Sequence, residues 1–229
     1  MLKFAPLVLA ILYALAMYRF SVWRTLKTLD RQSHPLDEPA ITRLTDRMAT
    51  ALDLARITVA VYEVDPVNGL AAPDGRIFLT RGFVKKYRDG QVTAEEIASV
   101  IAHELGHVAL GHSRRRMIDF TGQNAVVIVL SALLNRFLPG IGGWIANALT
   151  TALAARLSRR DENEADAYAS ALLVKAGIGT APQKSLLAKL DALTGAPGAA
   201  APAWLASHPK TAERIAAIAA RESRWDQPT

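Results

Sequence analysis

One stretch, His103-Glu104-Leu105-Gly106-His107, constrains this chain more than any other. Upstream of it, Thr93 and Glu96 have the spacing of a capping box, in which two side chains satisfy each other's backbone N–H groups. A helix is therefore expected to start near Ala94 and run through "EEIASVIAHELGHVALGHSRRR". At about 3.6 residues per turn, His103 and His107 then lie roughly 40° apart on one face. Two imidazoles one turn apart can grip a single divalent cation. Glu104 points about 100° away from His103, close enough to reach a water on that cation without ligating it.

Such a pair is incomplete on its own, because a catalytic zinc takes three protein ligands and keeps one position open. The chain has 229 residues and no cysteine, which excludes disulfides and thiolate ligands. The third ligand must be His, Asp or Glu, and "DENEADAY", residues 161–168, supplies four carboxylates. On a helix Glu162 and Asp166 form an i, i+4 pair, and their face continues through Ala169, Leu173 and Ala176. Asp161 and Glu164 share the opposite face, which also carries Arg160 and Lys175. Arg160 sits one turn before Glu164, an ion-pair arrangement worth only about 0.2–0.5 kcal/mol. Glu162 is thus the expected ligand. Asp166 is placed to accept the free N–H of a ligating histidine, His103. Asp161 and Glu164 are assigned to solvent, and His112, well off the face of His107, to the end of the helix.

Hydrophobic residues make up 51% of the chain, mean hydropathy is +0.14 and net charge is +6. This balance suits partial membrane contact. The longest basic run, Arg114–Arg116, has no interleaved aromatics, which favours a lipid surface over nucleic acid. Residues 4–18 are uncharged and nearly all apolar. As a helix they span about 22 Å, shorter than a ~30 Å hydrocarbon core unless Lys3 and Arg19 snorkel. Residues 1–23 therefore read as a membrane anchor, or as a signal segment with "ALA" at 14–16 as its cleavage site. Arg19, Arg24, Lys27 and Arg31 would keep the following domain cytoplasmic if the segment is retained; a cleaved segment would make it periplasmic.

Residues 36–229 form the expected main domain. "SHPLDEP" (33–39) reads as a linker. Ile41, Leu44, Met48, Leu52 and Ala55 follow helical spacing. Residues 57–64 and 76–80 read as strands, with turn chemistry at 68–75 between them. From 120 to 157 two apolar runs flank Pro139, Gly140, Gly142 and Gly143. They are expected to form a helical hairpin insert, packed on the core or dipping into a membrane. A helix from about Leu157 to Lys175, the helical "SLLAKLDAL", a flexible linker at 194–203 and a last helix complete the chain. By its residues alone, His208 of "SHP" is a loop histidine beside a helix start.

"VIAHELGHVALGHS", "LSRRDENEADAYA" and "SHPKTAERI", in that order, resemble the membrane-associated zinc metallopeptidases of the HtpX, BepA and Ste/Oma type. The resemblance runs from about Ile41 to Ile218. It implies an α+β, mainly helical gluzincin metallopeptidase fold, with a small sheet beside the active-site helix and an N-terminal apolar helix. It also implies one Zn²⁺ per chain on His103, His107 and Glu162, with Glu104 as catalytic base. His208 and Arg214 would approach the site to hold an oxyanion or cap the metal. "NGLAAPDGRIFLTRGF" would include the strand next to the cleft, and Arg76, Ile77, Phe78 and Leu79 were the residues expected to bind a substrate backbone. The function so implied is a zinc-dependent endopeptidase acting on polypeptides in protein quality control at a bacterial inner membrane. Lipid contact would come through the N-terminal helix and residues 120–157, with no nucleic acid. The alternative is a membrane-tethered chaperone or adaptor retaining the zinc-peptidase fold.

Overall fold

Four short strands and a set of helices assemble around one central helix. The computed structural model describes residues 5–112, 127, 130–131, 133–194 and 211–225, without the side chains of 5–11, 14, 153–155, 191–194 and 211. His208, most of the 194–203 linker and the start of the 120–157 insert lie outside the described residues. In chain order the elements are α1 (Ala5–Arg31), β1 (Ser33–Pro35), α2 (Pro39–Ala51), β2 (Val59–Tyr62), β3 (Gly69–Ala71), β4 (Ile77–Thr80), α3 (Arg81–Arg88), α4 (Ala94–Ala109), α5 (Gly142–Lys175), α6 (Ala181–Thr194) and α7 (Thr211–Trp225). The class is α+β and mainly helical, as expected.

The sheet order is β1-β2-β4-β3. β2 and β4 run parallel, and β1 and β3 are antiparallel to their neighbours. Side-chain alternation along β4 splits the core in two. Ile77 and Leu79 enter the main core with α4, whereas Phe78 faces the other side and meets Leu26 and Leu29 of α1. This topology corrects two readings. The supposed linker contains β1, whose His34 pairs with Val61; three residues with no alternation carry no local strand signal. The 68–75 segment contains edge strand β3 before its turn, which closes at Gly75 with φ +89°.

Residues before 36 also contribute to the sheet and its packing. β1 belongs to the sheet, and Leu29 near the end of α1 is buried against Phe78 and Ala72. Further up α1, Leu12, Tyr13, Leu15, Met17, Phe20 and Trp23 are exposed. Among the described residues no helix is long and apolar enough to cross a membrane.

α4 is the spine of the fold. Its capping box forms as expected: Glu96 N–H donates to Thr93 Oγ1 at 3.2 Å and Thr93 N–H donates to Glu96 Oε2 at 2.9 Å. Glu96 Oε1 also accepts from Ser185 at 2.6 Å and Lys189 at 2.7 Å, which ties the start of α4 to α6. Ile97, Val100, Ile101 and Ala102 are buried among α2, α5 and α6. α5 is longer than the acidic helix expected from Leu157. It runs unbroken from Gly142, so the second apolar run and the carboxylate segment are one rod. The expected break falls just before it, where Gly140 adopts φ +85°.

Candidate metal centre

The crossing of α4 and α5 brings the distant motifs together, and Gly106 permits the close approach. A Cβ there would lie 3.0 Å from both Cα and O of Ala165 and 3.3 Å from Cβ of Tyr168. With hydrogen alone at Gly106, the helix backbones come close enough for the side chains three residues before and one residue after the contact on each helix to meet. The cost is a glycine inside a helix, about 1 kcal/mol.

His103 and His107 present their Nε2 atoms to each other at 3.1 Å. Glu162 completes the triangle, with Oε2 3.3 Å from His103 Nε2 and Oε1 3.5 Å from His107 Nε2. A zinc ion with bonds of about 2.0–2.1 Å in tetrahedral geometry separates its ligand atoms by roughly 3.3 Å. The three donor atoms therefore already form one face of such a tetrahedron, and the nitrogen and oxygen donor set suits zinc. All three side chains are buried, as is Glu104 between the histidines on α4. Of the sequence-derived residues, His103, His107, Glu162, Asp166 and Arg214 converge here.

Each histidine is held from behind. With Nε2 turned to the metal position, the proton sits on Nδ1. His103 Nδ1–H donates to Asp166 Oδ1 at 2.9 Å. Asp166 is in turn gripped by Arg214, whose Nε and Nη2 donate to Oδ2 and Oδ1 at 2.7 Å each. Gln183 Nε2 reaches Oδ1 at 3.5 Å, and Ser170 Oγ links Gln183 to the Asp166 carbonyl at 2.8 Å. Burial opposes ionisation of Asp166, but hydrogen bonds from Arg214 and His103 outweigh it and hold the carboxyl well below the usual range. Burial likewise opposes charging of His103, yet Asp166 and Glu162 lift its pKa to about 9 in the metal-free protein.

His107 has a partner that sequence reasoning missed. Its Nδ1 lies 2.9 Å from Nδ1 of His112. The chain turns at Gly111, with φ +68°, and drops His112 back under α4 with no exposed surface. Its Nε2 faces Glu164 Oε2 at 3.2 Å and Asp161 Oδ1 at 3.7 Å. This corrects the assignment of Asp161 to solvent: the side chain is only 6% exposed. Glu164 is half-buried. It takes Arg160 at 2.8 Å as expected, and that bond first, with His112 second, holds its carboxyl below the ordinary value. The signal in the sequence was the third histidine itself, but a helical projection beyond Ala109 put it on the wrong face.

His112, Asp161 and Glu164 are themselves within ligand distance of one another. The tautomers decide against a second metal. A metal on His107 Nε2 leaves its Nδ1 protonated, so His112 must accept at Nδ1 and carry its own proton on Nε2. A protonated nitrogen cannot ligate. The same proton can be donated to Glu164, which closes a chain of hydrogen bonds from Arg160 to the metal position.

Residues 35–222 match the model of peptidase family M48. The chain belongs to that family. Curated relatives include the metalloproteases LoiP and YcaL of Escherichia coli (strain K12), each 30% identical over 161 residues and covering 66% and 69% of this chain. A protease HtpX homolog of Bordetella avium (strain 197N) is 26% identical over 201 residues, 75% of this chain and 67% of that protein. The chain spans 59% of the length of LoiP and of YcaL. Two groups of expected site residues are engaged by other parts of this M48 domain. Ile77, Phe78 and Leu79 are fully buried and β4 is hydrogen-bonded on both sides, so Arg76–Leu79 has no open edge. Arg76 instead forks between Asp30 at 2.8 Å and Asp74 at 2.7 Å. The edge beside α4 is β3. Arg214 spends Nε and Nη2 on Asp166, leaving Nη1 3.8 Å from Glu162.

Proposed function

We propose that this chain is a zinc-dependent endopeptidase, with one Zn²⁺ held by His103, His107 and Glu162. The observation that carries the proposal is the donor triangle of 3.1, 3.3 and 3.5 Å beside a buried Glu104. A structural site has no use for that carboxylate, which weighs against the chaperone or adaptor alternative. Zinc held by His103, His107 and Glu162 would supply the Lewis acidity needed to polarise a carbonyl and acidify water. Glu104 takes the proton from the attacking water and delivers it to the departing amine, a role worth typically ~10²–10⁴ in rate. Asp166 and Arg214 act through His103: they fix its tautomer and ring plane. Arg214 is therefore a positioning residue in this proposal rather than an oxyanion donor, and His208 is left as the candidate for that role.

Substrate binding is assigned to β3. The bonds Ala72 N to Arg76 O (2.8 Å) and Thr80 N to Asn68 O (3.0 Å) fix the antiparallel register, so Ala71 turns its N–H and C=O away from β4. An extended peptide adding along that edge is read by its backbone, with side chains at alternate positions giving selectivity. Such recognition suits unfolded polypeptides, and protein quality control at a membrane is the setting we propose, with the exposed apolar face of α1 as the lipid contact. The test is Glu104→Gln. It should keep zinc at one per chain and lose casein cleavage by about 10²-fold or more. Zinc retention with unchanged cleavage would sink the mechanism.

A further inference from the structure

Four arginines of α5 and α7 converge on a surface cleft that shares no residue with the donor triangle. Arg156, Arg159, Arg160 and Arg221 line it with Asn163 and Glu164, around a volume of about 610 Å³. Three of the four lie within five residues of α5, and like charges at i, i+4 destabilise a helix. Compensation is slight. Of the four arginines only Arg160 pairs with Glu164, while Arg156 and Arg159 make no ion pair among the described residues. Arg221 Nη2 donates to the Asn163 carbonyl at 3.0 Å, and its Nη1 is buried without a hydrogen-bond partner. Burial, partly offset by Asp166, pushes the Arg221 pKa below the ordinary arginine value. With Arg221 beside three further guanidinium groups, the cluster carries an electrostatic cost that an anion in the cleft would offset.

We infer that this cleft binds a phosphate-type oxyanion, a free phosphate or a phospholipid headgroup, held by forks from Arg156 and Arg159, with Arg221 adding its charge. A carboxylate has two oxygens and is satisfied by one guanidinium fork. A phosphate offers three or four oxygens and more charge, which matches several forks arriving together. Among the described residues the lining holds no aromatic ring. The site is distinct from the donor triangle, and its occupancy does not depend on the peptidase reading.

The experiment titrates the full chain with inorganic phosphate by calorimetry, then repeats the titration with vesicles of phosphatidylglycerol or phosphatidylcholine present. Arg156→Gln/Arg159→Gln is compared with Lys85→Gln/Lys86→Gln, which removes the same charge from the end of α3. Saturable one-site binding, weakened about tenfold or more by the arginine pair and less than about twofold by the lysine pair, is expected. Displacement by phosphatidylglycerol but not phosphatidylcholine would identify the headgroup as the source; no displacement would identify the free ion. Equal weakening in both variants, or no saturable binding, would overturn the inference, because the cleft would then be only one part of a diffuse basic surface.

Discussion

The buried pair of Asp166 and Arg214 gives the sharpest test of how the metal centre is held. Their side chains are 1% and 4% exposed and share two charge-assisted hydrogen bonds of 2.7 Å. Removing one partner of a buried pair typically costs about 3–5 kcal/mol, because the other charge stays buried. Asp166→Asn should fall near the low end, since the amide oxygen can still accept one guanidinium bond. Arg214→Met should cost less still in metal-free protein, because a protonated His103, with its pKa near 9, remains beside the carboxylate at 2.9 Å. The double variant removes both charges. It should therefore be destabilised by about 2 kcal/mol less than the sum of the singles, measured as urea midpoints on metal-stripped protein. Zinc affinity, measured against a fluorescent chelator, should fall about 10–100-fold in Asp166→Asn, as His103 loses its orienting acceptor. Arg214→Met, which leaves His103 bonded to Asp166, should lose less. Additivity of the two singles to within about 0.5 kcal/mol would show that the pair does not act as a unit, and the positioning role would fall with it.

Three further outcomes follow from the same geometry. The raised His103 pKa stabilises the metal-free fold fully below the unfolded value of about 6.5, and that contribution is lost as pH climbs through about 9. Zinc must displace that proton, so affinity should rise by up to about tenfold per pH unit across this window and then level off; a flat profile by chelator competition would contradict it. Gly106→Ala meets backbone at 3.0 Å, which cannot swing aside. It should cost about 1–3 kcal/mol from overpacking, against about 1 kcal/mol gained in helix propensity, and weaken zinc binding as α5 is pushed back. A more stable variant with unchanged zinc affinity would refute that reading of the crossing. Ala71→Pro removes an N–H that the ladder with β4 does not use. It should leave the melting temperature within a few degrees while raising KM for casein; unchanged kinetics would move substrate off β3.

The parts of this site that local periodicity encodes were legible in the sequence. The capping box set the phase of α4, and that phase put His103 and His107 on one face. The apolar run Ala169, Leu173, Ala176 set the phase of α5 and so separated Glu162 and Asp166 from Glu164. What a single helix cannot encode is what another segment lays over it. Asp161 reads as solvent-facing because it shares a helix face with Glu164 and Arg160; the turn at Gly111 carries His112 across to within 3.7 Å of it. β3 reads as turn chemistry because three residues, two of them Gly and Ala, are too short a run to show alternation, and its status as an edge is a property of the sheet. His112 joins both lessons. It lies three residues past the end of α4, where periodicity stops informing, yet its Nδ1 meets His107 at 2.9 Å and its Nε2 meets Glu164 at 3.2 Å. Once a metal fixes the His107 tautomer, every proton along that chain has one place to go. Glu164, outward-facing on its own helix, then helps orient a ligand on another.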